Sequence, residues 1–147
     1  MYRFRNEQLQ VLLVHPGGPF WKNKDAGAWT IPKGELQEGE ESLPAAKREF
    51  QEELGIAPEG EFVELTAVKQ KGGKVVRAWA FEGHCEPTSA ASNTFTIEWP
   101  PRSGRMATFP EIDRAEFFNL EQAKVKINAA QVGFLEELRA KVAIQGS

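Results

Sequence analysis

Three glutamates, Glu49, Glu52 and Glu53, recur at spacings of three and four residues. On a helix this spacing puts their carboxylates on one face, where each like-charged pair costs roughly 0.2–0.5 kcal/mol. Glu52 and Glu53 would also lie in the last turn, at the end of the helix dipole that disfavours anions. Either the helix presents an acidic face to solvent, or a hard divalent cation such as Mg²⁺ or Mn²⁺ offsets the repulsion by binding carboxylate oxygens.

The sequence around these glutamates favours the metal interpretation. Residues 34–56 are GELQEGEESLPAAKREFQEELGI, which matches the Nudix box G-x5-E-x7-R-E-U-x-E-E-x-G-U, with U aliphatic or aromatic, at every defined position. The matching residues are Gly34, Glu40, Arg48, Glu49, Phe50, Glu52, Glu53, Gly55 and Ile56. Seven of these positions require a single residue type, so a chance match at a given start is on the order of one in a billion. The chain therefore resembles the Nudix hydrolases.

Two further segments extend the resemblance. Residues 29–33, WTIPK, precede Gly34 and are similar to the W-x-x-P-K-G segment of Nudix enzymes that act on dinucleoside polyphosphates and diphosphoinositol phosphates. Residues 111–120 resemble the family's late acidic residue, here Glu111, followed by a strand with an aromatic at Phe117 or Phe118. The resemblance implies an α+β Nudix fold: a single domain, residues 1–147, with a mixed, curved β-sheet sandwiched between helices.

The resemblance also implies roles for the box residues. Glu49, Glu52 and Glu53 would be metal ligands, joined by a backbone carbonyl at Lys33 or Gly34. The cofactor would be Mg²⁺ or Mn²⁺, and one carboxylate would take a proton from the attacking water. Within the box the candidate bases are Glu52 and Glu53, and outside it Glu111 is the alternative.

Several cations could assist this chemistry. The fork of Arg48 is expected to hold a glutamate such as Glu40 or Glu49 in position. The candidates for substrate phosphate contact are Lys33, Arg77, Arg102 and Arg105. Each of these four also has the simpler interpretation of a solvated surface side chain.

Other residues are weighed and mostly set aside. The aromatics that could stack on a base, but that more often fill cores, are Phe20, Trp21, Trp79, Trp99 and Phe109. Asn128 is expected to cap a helix rather than to contact a base. His15 and His84 stand alone in the sequence and receive no role.

The elements that must position these residues can be traced from apolar runs. Strands are predicted at residues 9–14, 29–31, 62–69, 75–81, 94–99 and 115–120, with a hairpin turn at residues 71–74. A helix is predicted over residues 42–54, with Ser42 as its N-cap and Gly55 as its stop. Residues 102–110 are expected to form a polar loop. A C-terminal amphipathic helix is indicated by the helical spacing of Val132, Leu135, Leu138 and Val142.

Composition limits the classes of protein that remain. The 147 residues suit one domain. A net charge of −3 and a pI near 5.5 argue against binding of long nucleic acid, which needs a concentrated basic surface. One cysteine, Cys85, gives no reason to expect disulfides, so a cytoplasmic location is the default. No apolar run is long enough to span a bilayer.

The leading functional hypothesis is a metal-dependent hydrolase of a phosphoanhydride bond in a small nucleoside diphosphate-linked compound, most simply a dinucleoside polyphosphate. An alternative is a nucleoside triphosphate pyrophosphohydrolase that removes damaged nucleotides. A catalytically silent nucleotide-sensing module is a third hypothesis, although none of the box glutamates is missing. Messenger RNA decapping is disfavoured by the acidic charge balance.

Overall fold

Seven strands and three helices are found in the part of the chain that the structure describes. The computed structural model describes residues 1–32, 41–69, 73, 75–86 and 93–145, and the side chains of residues 143–145 are outside this description. The strands are β1 Tyr2–Arg5, β2 Gln8–Pro16, β3 Val63–Lys69, β4 Val75–Ala80, β5 Thr94–Glu98, β6 Met106–Pro110 and β7 Ile112–Asn119. The helices are α1 Ser42–Leu54, α2 Leu120–Lys126 and α3 Val132–Gln145, with a short 3₁₀ turn, Ala129–Gln131, before α3.

The central strand is β2, which pairs antiparallel with both β1 and β7. A parallel bridge joins Tyr2 of β1 to Glu82, just beyond β4, and the Tyr2 N–H donates to the Phe81 carbonyl at 3.0 Å. Beyond β1 the sheet therefore continues into the β3–β4 hairpin through a parallel contact, whereas β2 pairs antiparallel with both β1 and β7. This junction gives the mixed sheet that the sequence predicted.

Both faces of β2 are covered, which explains its nearly continuous apolar sequence. On one face Val11 and Leu13 pack in a cluster with side chains of α2, α3, β3 and β4. On the other face Leu12 and Val14 pack with Phe50 and other side chains of α1. The helices lie on both sides of the sheet, so the predicted α/β/α sandwich is confirmed.

The predicted polar loop at residues 102–110 is wrong in its second half. Met106–Pro110 forms β6, which pairs antiparallel with β5 in a separate two-stranded hairpin. Its inward-facing residues are only partly buried, so the alternation of apolar and polar residues is weak. The strand-breaking signal of Pro100 and Pro101 applies to the hairpin turn and not to residues 106–110.

Two strand predictions also change in extent. In the segment 29–31, Trp29 and Thr30 form isolated bridges to Ile127 and Val14 rather than a strand. Strand β7 begins at Ile112, three residues before the predicted start. The first strand, β1, lies in a stretch whose polar and charged composition gave no strand signal.

Among the described residues, no helix is long and apolar enough to cross a membrane.

Helix α1 begins and ends as the sequence predicted, but it is capped differently. Its N-cap is Glu41, with no side-chain capping bond, and not Ser42. The Ser42 hydroxyl is instead the acceptor for Trp79 Nε1 at 3.1 Å, which ties the start of α1 to β4. At the other end Gly55 adopts φ 71°, the left-handed conformation that ends a helix at low cost for glycine.

Candidate active site

The guanidinium of Arg48 joins two of the box glutamates on α1. Its Nη1 donates to both carboxylate oxygens of Glu52 at 3.0 Å, and its Nη2 donates to Glu49 Oε1 at 2.9 Å. The predicted partnership with Glu49 is present, and the contact with Glu52 was not foreseen. Charge-assisted bonds of this kind fix carboxylate orientation more firmly than a single point charge would. Arg48 therefore contacts both carboxylates at once.

The charge on this face of α1 is only partly neutralised by its own residues. The three glutamates carry three formal negative charges, and Arg48 supplies one positive charge. The ammonium of the neighbouring Lys47 lies 4.6 Å from the centre of the Phe62 ring. No basic residue occupies the last turn of α1, where the helix dipole already disfavours anions.

The donor chemistry of this face suits a hard divalent cation. Glu52 is 42% exposed and Glu49 is 14% exposed at their side chains, so one remains open to solvent while the other is largely enclosed. Carboxylate oxygens are the ligands that Mg²⁺ and Mn²⁺ prefer. Within the described residues no three acidic, histidine or cysteine side chains already converge as a metal cluster. Binding would therefore require Glu49 or Glu52 to share oxygens now held by Arg48.

Part of the predicted site cannot be placed. Lys33, Gly34 and Glu40 lie in residues 33–40, outside the described residues. The predicted backbone ligand at Lys33 or Gly34, and the predicted contact of Arg48 with Glu40, therefore stay predictions.

Glu111 lies at the junction of the sheet and the β5–β6 hairpin. Its carbonyl accepts from the Gly17 N–H at 2.9 Å, and its own N–H donates to the Asn93 carbonyl at 2.8 Å. The next residue, Ile112, packs against the apolar cluster that includes Leu54 of α1. The exposed Glu111 therefore directly precedes β7, whose first residue packs against the cluster that contains Leu54.

Arg77 and Trp79 of β4 line a cavity beneath α1. Its volume is about 90 Å³, and Ile31, Pro32 and Ala46 are among its other lining residues. A ligand pocket for a small molecule usually measures about 300–1,000 Å³, so this cavity cannot enclose a nucleotide in its present form. Its wall nevertheless includes Pro32, the residue that leads directly into Lys33. Arg102 and Arg105 lie apart from it, at the turn of the β5–β6 hairpin.

Two buried polar residues that sequence reasoning passed over hold the surrounding loops. His15 is fully buried, with Nδ1 2.7 Å from Asp113 Oδ1 and Nε2 2.6 Å from the Lys24 carbonyl oxygen. Gln131 is also fully buried, and its Oε1 accepts from Ile31. Their partners are distant in sequence, so no local pattern signals these contacts. Asn128 behaves as expected, since its side chain accepts from the Ala130 N–H as a helix cap.

Comparison with known proteins gives the family. A family model described as NUDIX domain matches residues 1–138. The chain therefore belongs to the NUDIX domain family, the family of the Nudix hydrolases, as the box predicted. Members of this family generally use divalent metal ions.

A curated relative and two solved structures resemble the chain. The RNA pyrophosphohydrolase of Novosphingobium aromaticivorans is 51% identical over 54 residues, which cover 33% of this chain and 34% of that protein. The match thus spans about a third of the relative's length. A Caenorhabditis elegans Ap4A hydrolase binary complex superposes with a TM-score of 0.65 at 22% identity, covering 97% of this chain and 93% of the other. The NUDIX domain of Shewanella oneidensis NrtR, complexed with ADP ribose, gives 0.63 at 17% identity, covering 96% and 82%. At these identities the structural likeness establishes the fold.

Proposed function

We propose that the chain is a Mg²⁺- or Mn²⁺-dependent hydrolase of a phosphoanhydride bond in a small nucleotide, with a dinucleoside polyphosphate as the preferred substrate class. The observation that carries the proposal is the complete box in the sequence, together with the contact on α1 in which Arg48 bonds to both Glu49 and Glu52. A catalytically silent module would have no need for all three glutamates on a face that repels itself. The fold alone would not justify the proposal, because one scaffold hosts many activities.

The substrate class has two lines of support. The WTIPKG segment resembles that of Nudix enzymes acting on dinucleoside polyphosphates. One of the structural relatives is an Ap4A hydrolase. The curated relative is an RNA pyrophosphohydrolase, so RNA with a 5′ triphosphate is included as a competing substrate in the test below.

The chain's own residues have distinct tasks in this proposal. Glu49, Glu52 and Glu53, with the carbonyl of Lys33 or Gly34, would hold the cation, and Arg48 keeps two of the carboxylates in register. Mg²⁺ or Mn²⁺, when bound, neutralises the diphosphate and the leaving phosphate. Glu52, Glu53 or Glu111 accepts the proton of the attacking water. Arg77, which lines the cavity beneath α1, and Lys33, which precedes the box in sequence, are the proposed phosphate contacts.

A substrate screen tests the proposal directly. Purified protein with Mg²⁺ or Mn²⁺ is assayed against diadenosine polyphosphates, nucleoside triphosphates, ADP-ribose, diphosphoinositol phosphates and 5′-triphosphate RNA, with identification of the products. We expect the highest kcat/KM for a diadenosine polyphosphate and loss of activity in excess chelator. Full activity in chelator would contradict the metal role, and a higher kcat/KM for a nucleoside triphosphate would favour the pool-sanitising alternative.

Matched variants distinguish the loss of a site carboxylate from a general effect of removing one negative charge. Glu52→Gln and Glu53→Gln keep side-chain size but remove a charged oxygen, and turnover should fall at least about a hundredfold, the scale of a lost ligand or base. Glu136→Gln removes the same charge from an exposed position on α3 and should leave turnover unchanged. Similar small effects in all three variants would place the chemistry elsewhere.

A further inference from the structure

An exposed aromatic patch lies away from α1, where the loop after β2 meets the β5–β6 hairpin. It comprises the exposed Phe20 and Trp21 and the partly buried Trp99. The ring centroids of Phe20 and Trp99 are 5.4 Å apart in an edge-to-face arrangement, yet Phe20 remains 61% exposed and Trp21 39% exposed. Exposed aromatic rings held against one another, rather than buried, are typical of a surface that meets a ligand.

The patch is built on a close contact between loop and hairpin. A Cβ on Gly17 would lie 2.0 Å from the Pro110 carbonyl oxygen, and one on Gly18 would lie 2.7 Å from the Phe95 ring. The two glycines therefore allow the loop to pack directly on the hairpin. The loop is also fixed by His15, which lies 2.6 Å from the Lys24 carbonyl oxygen. The aromatic rings are thus presented by a preformed surface, which reduces the ordering cost of binding.

Cations surround the aromatic patch. Lys24 Nζ lies 5.1 Å from the centre of the Trp21 ring. In the described part of the chain, Lys22, Arg102 and Arg105 form no ion pair and are exposed. This concentration of positive charge occurs on a chain with a net charge of −3. It complements a ligand that combines an aromatic ring with negative charge.

The hairpin turn keeps an arginine where glycine would be less strained. Arg102 has φ 62°, in the left-handed region that costs a residue with a side chain about 1 kcal/mol. Its N–H donates to Glu98 Oε1 at 2.8 Å, a backbone bond that a glycine could make equally well. The backbone contact therefore does not account for the guanidinium, which the turn leaves facing solvent.

We propose that the aromatic patch binds a nucleobase of the substrate, namely the base joined to the end of the polyphosphate chain remote from α1. The inference rests on the proposed function, since it assigns the second nucleoside of the same substrate. Five residues of β6 separate the turn from Glu111, a distance of about 17 Å along an extended strand. A polyphosphate running from Glu111 along the hairpin would meet Arg105 and Arg102 and end at the aromatic rings.

A second copy of the chain is a less suitable occupant. In a two-fold contact the same patch meets itself, which would bring Lys22, Arg102 and Arg105 of both copies together. Such like-charge juxtaposition is unfavourable. A nucleotide instead brings the opposite charge, and stacking of a base on an aromatic side chain contributes about 1–3 kcal/mol.

The test is calorimetric titration of the full chain with diadenosine tetraphosphate and with ATP, in Mg²⁺. A Glu52→Gln background is used throughout so that the ligands survive. We expect Phe20→Ala to raise Kd for diadenosine tetraphosphate about tenfold and to leave Kd for ATP within about twofold. Trp99→Phe keeps an aromatic ring against Phe20 and should change both Kd values less than Phe20→Ala does. Phe4→Ala is the matched control, because Phe4 is 51% exposed on β1, outside the aromatic patch.

Two outcomes would overturn the inference. Equal Kd changes for Phe20→Ala and Phe4→Ala, or equal changes for the two ligands, would show that the patch does not hold the second base. Loss of a dimer in Phe20→Ala, measured by sedimentation equilibrium, would assign the patch to self-association. Hydrolysis assays without the Glu52→Gln change distinguish failure of the aromatic-patch proposal from failure of the proposed hydrolase function. Unchanged KM in Phe20→Ala with active enzyme would reject only the patch, whereas patch-dependent binding without hydrolysis would reject only the activity.

Discussion

Gln131 accepts the backbone N–H of Ile31 through its side-chain Oε1 at 3.1 Å, across 100 residues of sequence. The Thr30 hydroxyl donates to the same oxygen at 3.0 Å. Because the Ile31 N–H can only donate a hydrogen bond, the carbonyl oxygen of the Gln131 side-chain amide, and not its nitrogen, must face Ile31. The fully buried Gln131 thus holds the segment that leads through Pro32 into the box, two residues before Lys33.

Replacing Gln131 by Met should destabilise the protein by about 1 kcal/mol. The volume is kept and the Ile31 N–H loses its acceptor, but the change also removes the buried Nε2, which has no hydrogen-bond partner in the described part of the chain. Urea unfolding of the two proteins would measure the difference in free energy of unfolding. Gln122→Met, at an exposed position on α2, is the control and should change stability by less than about 0.5 kcal/mol. Equal stability of both variants would mean that the hydrogen bond contributes nothing net.

Arg48→Lys should weaken metal binding while leaving the chain folded. A lysine keeps the charge but cannot donate to Glu49 and both oxygens of Glu52 in fixed geometry. The Mg²⁺ concentration that gives half-maximal activity should rise about 10–100-fold, the range found when a group that orients a ligand is lost. Far-UV circular dichroism would check the fold. A fall in kcat at saturating Mg²⁺ with no change in the metal requirement would instead point to direct contact between Arg48 and the substrate.

Glu137 should make the protein more stable above about pH 4.3, the usual value for a free glutamate, than below it. The Thr66 N–H donates to Glu137 Oε1 at 2.6 Å, and this bond, followed by those from Lys141 and the Thr66 hydroxyl, lowers the pKa of Glu137 in the folded protein. A lowered pKa means that the ionised form is favoured by folding. Its stabilisation is therefore present above the unfolded pKa and is lost as the pH falls through the folded pKa.

The Glu137→Gln variant would measure this contribution. The side chain is 23% exposed, so solvent screening limits the loss at pH 7 to about 1 kcal/mol. The difference between the two proteins should shrink as thermal unfolding is followed from pH 6 to pH 3. Glu136→Gln, on the solvent side of the same helix, is the control. A difference that stays constant with pH would show that Glu137 acts through packing rather than through its charge.

The sequence predicted the parts of the fold whose signals are local. The continuous apolar run of β2 follows from burial on both faces, and Gly55 ends α1 because its left-handed conformation is intrinsic to glycine. The β5–β6 hairpin was only half predicted, since β6 is partly exposed along its whole length and leaves little hydrophobic contrast. The N-cap prediction at Ser42 was wrong by one residue, because the helix already includes Ser42 and Glu41 is its cap. The Ser42 hydroxyl accepts from Trp79, a tertiary contact that local sequence does not signal.

In the candidate site, too, the sequence predicted the features with local signals and missed those that depend on distant residues. The box predicted the neighbourhood of Arg48 and Glu49, which are adjacent in sequence. It did not predict the paired bonds from Arg48 to Glu52, because helical spacing alone does not select a rotamer. The contact of His15 with Asp113 joins residues 98 positions apart, and nothing near either residue signals it. Long-range polar contacts of this kind depend on the register of β2 with β7, which only the folded chain defines.

Arg102 and Arg105 should determine how the enzyme discriminates substrates by phosphate number. Both are exposed at the hairpin turn and form no ion pair in the described part of the chain. The far phosphates of a long chain would lie away from the cation held at α1, whose attraction falls with distance, so side-chain cations close to those phosphates become important as the chain lengthens. Replacing both arginines by Ala should raise KM for a dinucleoside polyphosphate at least about tenfold and raise KM for a nucleoside triphosphate much less.

The effect should fall on KM more than on kcat, because contacts remote from the scissile bond are equally strong in the ground and transition states. Steady-state kinetics with diadenosine tri-, tetra- and pentaphosphate would show the three KM values converging in the double variant. Lys124→Ala with Arg139→Ala, which removes two exposed cations from α2 and α3, controls for net charge. If this control pair raised KM as much, long-range attraction would explain the effect, and if neither pair changed it, the hairpin would have no part in polyphosphate recognition.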